Sequence, residues 1–197
     1  MSSHDHSATM SLNRTVTLAT VHCLTGCAVG EVLGLAIGTA VGLSNTLTIV
    51  LAILLAFLFG YSFTILPLLR SGLALAVVLP LALASDTFSI TVMEIVDNLI
   101  IVALPGAMDA GLDDALFWGS LAVALAIAFV AAWPVNRYLI ARGRGHAVVH
   151  GFHGVHGPDK AAGEAPPQLN VVRLVAIGAA AILLTVGIGV AGAILAA

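Results

Sequence analysis

Charged side chains are scarce in this chain of 197 residues. Asp, Glu, Lys and Arg make up 9% of the sequence, whereas 60% is hydrophobic and the mean hydropathy is +1.10. Soluble domains carry about a quarter charged residues, so this chain could not cover a globular surface with polar side chains. The composition excludes a soluble globular protein and predicts an integral membrane protein, with the lipid bilayer as its first partner.

Several functional signatures are also missing. The chain has only two cysteines, four positions apart, which argues against a secreted disulfide framework. It has no Gly-x-x-x-x-Gly-Lys-Ser/Thr pattern for nucleotide binding, no internal repeat typical of inverted-repeat transporters and no recognisable pair of nucleophile and base. Its first apolar run is too long for a signal-peptide core. We therefore expect no cleavable signal, no nucleotide cofactor, no nucleic-acid partner and no enzymatic activity.

Apolar segments dominate what is present, at about residues 15–42, 46–69, 71–104, 115–139 and 171–196. A helix needs about 20 such residues to cross the bilayer. The fold class is therefore predicted as all-α, a polytopic transmembrane helix bundle of about five spans, within a range of four to six. The predicted parts are a polar cytoplasmic tail at 1–14, a bundle of four spans at 15–141, a cytoplasmic loop rich in His and Gly at 142–170, and a fifth transmembrane helix at 171–197.

The cations predict the orientation of these spans. Five crossings put every Lys and Arg on one side, whereas the opposite loops carry Asn45 and three aspartates. This split fits the positive-inside rule with the N-terminus cytoplasmic and the C-terminus outside. The cations are Arg14, Arg70, Arg137, Arg142, Arg144, Lys160 and Arg173.

The third segment is too long for one upright span, because residues 71–104 would form a helix of about 50 Å at ~1.5 Å per residue. Two full crossings would place Arg137, Arg142 and Arg144 outside, against the charge rule. We therefore expect a single crossing that is broken: a re-entrant or interfacial half-helix, or a kink near Pro80.

The first span carries two neighbouring stripes at helical spacing. One is a glycine zipper, which predicts a close helix contact either within the chain or between subunits of a homo-oligomer. The other is Cys23-Cys27-Glu31, with His22 beside it. Thiolate and imidazole suit copper or zinc, so these four residues are candidate metal ligands, although cysteine also packs well as a small apolar residue. The zipper consists of Gly26, Gly30, Gly34, Gly38 and Gly42.

The loop after the fourth span contains four more histidines, three or four residues apart. At these spacings two or more imidazoles could bind one metal ion. The alternative is a glycine-rich loop with solvated histidines. Arg142 and Arg144 next to them could contact anionic lipid head groups. The four candidate ligands are His146, His150, His153 and His156.

A third group of polar residues lies on the third segment. Asp86, Glu94 and Asp97, with Asn98, return to one helix face at spacings of eight and three. An ionised carboxylate inside the bilayer is costly, so these groups must face the bundle interior or water, or carry a proton. They predict a transport path for a cation or proton, unless Glu94 and Asp97 merely lie in the outer interface.

Several runs of residues resemble an uncharacterised bacterial membrane-protein family known only as a domain of unknown function. The resemblance spans about residues 15–150 and implies a multi-spanning protein of the bacterial inner membrane, without an activity. The runs are His22-Cys23-Leu24-Thr25-Gly26-Cys27 with Gly30-Glu31, Asp97-Asn98, Pro105-Gly106-Ala107-Met108-Asp109-Ala110-Gly111-Leu112, Phe117-Trp118, Pro134-Val135-Asn136-Arg137 and Arg142-Gly143-Arg144-Gly145-His146-Ala147.

These observations favour an inner-membrane protein that binds or transports a metal cation, copper or a similar soft ion, through the Cys/His/Glu site on the first helix. Two alternatives remain. One is a structural or accessory membrane subunit without a metal site, in which the glycines and polar groups only hold helices together. The other is a proton or cation channel that uses the intramembrane carboxylates.

Overall fold

A computed structural model describes residues 12–142 and 170–196, and in these ranges all regular secondary structure is helical. The five helices are each long and apolar enough to span a membrane, which confirms the predicted bundle of about five spans. The polar tail up to residue 11 and the loop at 143–169 lie outside the described residues. The helices are α1 (Leu12–Val41), α2 (Asn45–Arg70), α3 (Leu75–Ala103), α4 (Ala115–Ala141) and α5 (Val171–Ala196).

Local sequence signals fix the ends of these helices. Ser44 and Asp114 precede α2 and α4, and their side chains accept hydrogen bonds from the second or third backbone N–H of the helix that follows. At the end of α1, Gly42 has a φ of 74° and the N–H of Leu43 donates to the carbonyl of Gly38. This is a Schellman motif, which closes the helix and turns the chain toward α2.

α3 is the central helix of the bundle and contacts all four others. α1 runs antiparallel to α2 and to α4, as shown by the contacts of Gly38 with Thr48 and of Asn13 with Arg137. α5 runs parallel to α3 and covers α3 and α2. Arg14, Arg70, Arg142 and Arg173 therefore lie at one end of the bundle, which we call the arginine end.

The predicted re-entrant or interfacial half-helix in the third segment is wrong, because α3 is one continuous helix of 29 residues. Residues 71–74 form the turn that follows α2, so the segment is shorter than its apolar run suggested. At 29 residues α3 is no longer than α1, which has 30. Pro80 lies in the second turn of α3, where its missing N–H removes one backbone hydrogen bond without ending the helix.

The glycines of the first span lie against α2 within the same chain. A Cβ atom added to Gly26 would come within 2.8 Å of the Gly60 Cα, and a Cβ added to Gly30 would overlap the backbone of Leu55 and Ala56. Gly34 and Gly38 make equally close contacts, with Ala52 and Thr48. Only glycine permits two backbones to approach this closely.

Gly42 does not belong to this contact, contrary to the sequence interpretation. It follows the last residue of α1 and no atom lies within 4 Å of the position that its Cβ would take. Its role is the left-handed residue of the turn, because its positive φ favours glycine.

Candidate functional site

The inner face of α3 carries the acidic residues that the sequence singled out. Asp86, Glu94, Asp97 and Asn98 are at most 6% exposed, although three of them are acids. They are buried because α3 is surrounded by the other helices, so one of its faces has no access to lipid. The acids are therefore inside the bundle, and Glu94 and Asp97 do not lie in an exposed interface.

Three carboxyl groups meet between α1 and α3. Glu31 of α1 is 3% exposed and lies within hydrogen-bonding reach of Asp97, with Glu94 close to both. Asn98 donates to the backbone carbonyl of Glu94 at 2.8 Å, and its side chain also lies within hydrogen-bonding reach of the Glu94 carboxyl group. Within the described residues, Glu31 Oε2, Glu94 Oε2 and both oxygens of Asp97 have no hydrogen-bond donor.

The two thiols lie next to the carboxyl cluster, on its side toward the arginine end. Cys23 and Cys27 are buried and are not joined in a disulfide. The Cys27 thiol faces the Glu94 carboxyl group, and one turn away the Cys23 thiol faces Ser89 and Asp86. The sequence stripe Cys23-Cys27-Glu31 thus points at α3, not at lipid.

Asp86 forms the end of this arrangement nearest the arginine end. Ser85 Oγ donates to Asp86 Oδ1 at 2.7 Å, and the Thr64 hydroxyl of α2 faces the same carboxyl group. His22, half-buried on α1, lies close enough for an electrostatic interaction with Asp86, and its ring meets the Phe63 ring edge-on.

A continuous line of polar side chains therefore runs along the axis of the bundle between α1 and α3. Parallel packing of these two helices explains it, since each further turn of α1 meets one further turn of α3. We call this line the polar column, and its members are Asp86, Cys23, Ser89, Cys27, Glu94, Glu31 and Asp97.

Polar groups are also present beyond both ends of the column. Toward the arginine end, Asn136 of α4 donates to Thr20 Oγ1 at 3.0 Å, and both residues are buried. At the opposite end, a cavity of about 240 Å³ is lined by Thr39, Asn45, Thr48 and Asp109 together with apolar residues. Leu35, one turn after Glu31, also lines it, so only a short apolar stretch separates this cavity from the carboxyl cluster.

No arginine lies beside the cluster of Glu31, Glu94 and Asp97 within the described residues, because the arginines there are all exposed. Three carboxylates this close together would repel one another strongly in a low-dielectric interior. The cluster of Glu31, Glu94 and Asp97 therefore needs protons or a bound cation to be stable.

The predicted metal site is only partly assembled. His22, Cys23, Cys27 and Glu31 lie along the column, but among the described residues no three His, Cys, Asp or Glu side chains are grouped so that they could hold one metal ion. The loop residues His146, His150, His153 and His156 lie outside the described residues. Copper or zinc binding stays a prediction.

The sequence interpretation did not identify several buried polar residues that lie near the polar column. Thr20, Thr64 and Asn136 are buried polar residues, and the Tyr61 hydroxyl lies 2.8 Å from Thr87 Oγ1. The available signal was their polarity inside apolar spans. It was weak because threonine in a helix also satisfies itself by donating to the carbonyl four residues earlier, as Thr20 does.

Comparison with known protein families gives a match over most of the chain. The family described as "Domain of unknown function (DUF4396)" matches residues 12–145, which include α1 to α4 and the whole polar column. No curated protein and no solved structure matches the chain.

Proposed function

The chain belongs to the family of the domain of unknown function DUF4396, and we propose that it carries protons across a membrane along the polar column. As a multi-pass membrane protein it has the architecture that this function needs. The observation that carries the proposal is the buried cluster of Glu31, Glu94 and Asp97, without a buried arginine in the described ranges.

Protons fit this cluster better than a metal ion does. A carboxylate has no hydrogen to donate, so the contact between Glu31 and Asp97 becomes a hydrogen bond only when one of them carries a proton. Such a proton would also satisfy oxygens that otherwise lack a donor. Among the described residues, no three His, Cys, Asp or Glu side chains are grouped so that they could hold a metal ion at this cluster.

Groups that can exchange protons lie on both sides of the carboxyl cluster and could form a proton relay with it. The Cys27 thiol and the Ser89 hydroxyl can each donate and accept a proton, and they lie between the carboxyl cluster and Asp86. Beyond Asp86 stands His22, and imidazole exchanges protons near neutral pH. At the other end, water in the cavity lined by Asn45 and Asp109 would exchange protons with the cluster across the short apolar stretch at Leu35.

Proton flux into liposomes tests this function. We expect the purified protein to acidify liposomes that contain a pH-sensitive dye when a potassium gradient and valinomycin set the membrane potential. Glu31→Gln and Asp97→Asn should each lower the flux about a hundredfold or more, the usual contribution of a positioned proton-transfer group. Either substitution preserves the size of the side chain and removes only its ability to release a proton.

Asp113→Asn is the matched control, because Asp113 is an exposed carboxyl group in the loop before α4. It should conduct like the wild type, as should a Cys23→Ser/Cys27→Ser variant, whose hydroxyls can replace the thiols. A wild-type flux equal to that of empty liposomes, or an undiminished flux in Glu31→Gln, would contradict the proposal.

The second candidate function is binding or transport of a soft metal ion at the thiols. The observation in its favour is that Cys23 and Cys27 are both buried, reduced and one helical turn apart, next to His22. Two thiolates can serve Cu(I), which favours soft ligands, whereas a structural zinc ion takes four ligands.

Metal content separates the two candidates. If the thiols bind copper, the purified protein should contain about one equivalent by mass spectrometry of the metal, and the Cys23→Ser/Cys27→Ser variant should contain much less. Equal and negligible copper and zinc in both proteins would remove the metal hypothesis. It would leave the proton relay untouched, since that relay needs no metal ion and serine hydroxyls can replace the thiols in it.

A further inference from the structure

A cleft at the arginine end has the chemistry of an anion site and does not belong to the polar column. It lies between the start of α1 and the end of α4 and has a volume of about 510 Å³, within the usual range for ligand pockets. Its polar and aromatic lining consists of Asn13, Trp133, Arg137, Tyr138 and Arg142.

Two guanidinium groups in this cleft are held by neighbours that leave their donors available. Arg137 donates from Nε to Asn13 Oδ1 at 3.2 Å, which leaves its two terminal nitrogens unused by this bond. The Arg142 guanidinium lies over the Tyr138 ring at 4.2 Å from its centroid, and stacking occupies its face, not its N–H edge.

The described residues supply no counter-charge for these arginines. No Asp or Glu lines the cleft. The only acid of α1 is Glu31, which is buried in the column, and α4 contains no acid along its length. Two fixed guanidinium groups without a carboxylate favour an anionic ligand, and the planar fork of arginine suits phosphate oxygens.

We propose that this cleft binds the phosphodiester head group of an anionic phospholipid. Trp133 and Tyr138 are the aromatic side chains typical of the membrane interface, and half-exposed Trp133 is oriented by its hydrogen bond to Thr17. A basic cleft between helix ends at this level faces lipid head groups directly. This site does not rest on the proposed proton relay and can exist without it.

Lipid retention tests the site. Protein in detergent is mixed with phosphatidylglycerol, phosphatidylcholine or inorganic phosphate, and the bound lipid is counted by native mass spectrometry. We expect phosphatidylglycerol to bind preferentially. Its affinity should fall about fivefold in Arg142→Gln and about 25-fold in Arg137→Gln/Arg142→Gln, as expected for ~1 kcal/mol per interfacial arginine.

Arg70→Gln is the matched control, because Arg70 is exposed at the same end of the bundle but does not line the cleft. It should bind phosphatidylglycerol like the wild type. If the double variant does not fold, the Arg142→Gln variant by itself tests the proposal, since Arg142 stacks on an exposed tyrosine ring. Equal binding of phosphatidylcholine, competition by inorganic phosphate at equal concentration, or unchanged affinity in both arginine variants would overturn the proposal.

Discussion

Some buried polar residues outside the polar column hold two helices together by a hydrogen bond. Thr20 and Thr25 show the difference on one helix, because each hydroxyl donates to the carbonyl four residues earlier at 2.8 Å. Only Thr20 also accepts a hydrogen bond from another helix, from Asn136. Thr20 is fully buried, whereas Thr25 is exposed.

Thr20→Val should therefore destabilise the protein more than Thr25→Val. The first substitution leaves the buried Asn136 amide without its partner, which should lower the free energy of unfolding by about 1 kcal/mol. The second removes only a bond within α1 and should stay within about 0.5 kcal/mol of wild type. Unfolding by SDS titration in detergent measures both, and equal losses would mean that the bond between α1 and α4 contributes nothing.

At the scale of helices, the pairing of α1 with α2 depends on backbone contact. Gly26, Gly30, Gly34 and Gly38 form one face of α1, and each meets a small residue or the backbone of α2. With this face fixed, the neighbouring stripe Cys23-Cys27-Glu31 turns toward α3. The glycines therefore position the polar column although none of them belongs to it.

Gly34→Ala should disturb this pairing. Its Cβ would overlap Ala52 in both backbone and side chain, and forced overpacking typically costs about 1–3 kcal/mol. Proton flux should fall with stability, because α1 would move away from α2 and shift Glu31. Gly119→Ala on α4 is the control: nothing lies within 4 Å of its added Cβ, so the better helix propensity of alanine should leave stability equal or higher. A Gly34→Ala protein as stable as wild type would show that the pairing tolerates a wider spacing.

For the whole molecule, the helix directions gather the arginines of α1, α2, α4 and α5 at one end. The positive-inside rule predicts that this end lies in the cytoplasm. We propose that the protein lies in the bacterial inner membrane with its N-terminus inside. The proposed lipid cleft would then face the inner leaflet.

Labelling with a membrane-impermeant maleimide checks this orientation. Asp113→Cys lies in the exposed loop between α3 and α4, and Ser71→Cys lies in the turn after α2 at the arginine end. In cells with a permeable outer envelope, we expect Asp113→Cys to react at once and Ser71→Cys to react only after the inner membrane is opened. The native thiols give little background because Cys23 and Cys27 are at most 1% exposed. The reverse pattern would mean that the N-terminus is outside.

Much of the architecture follows from the sequence because it depends on local and compositional rules. Apolar length gave the five spans, and the glycine interval marked a close contact. The third segment was misjudged because apolar composition does not show where a turn begins. Ser71 and Gly72 indicate the end of α2, but Leu73 and Ala74 read as part of the apolar run that continues into α3.

Other features depend on which helices become neighbours. The sequence placed Glu31 on one span and Glu94 and Asp97 on another, but no periodicity within a span shows that they meet. That contact arises because α1 and α3 run parallel inside one bundle, so acids at corresponding depths face each other. The sequence by itself determined that the chain spans a membrane and which side chains are costly there. The tertiary structure decided that these side chains lie together in one column. This lowers the free-energy cost of burying them, because inside lipid a buried acid is stable only beside groups that can share its proton or charge.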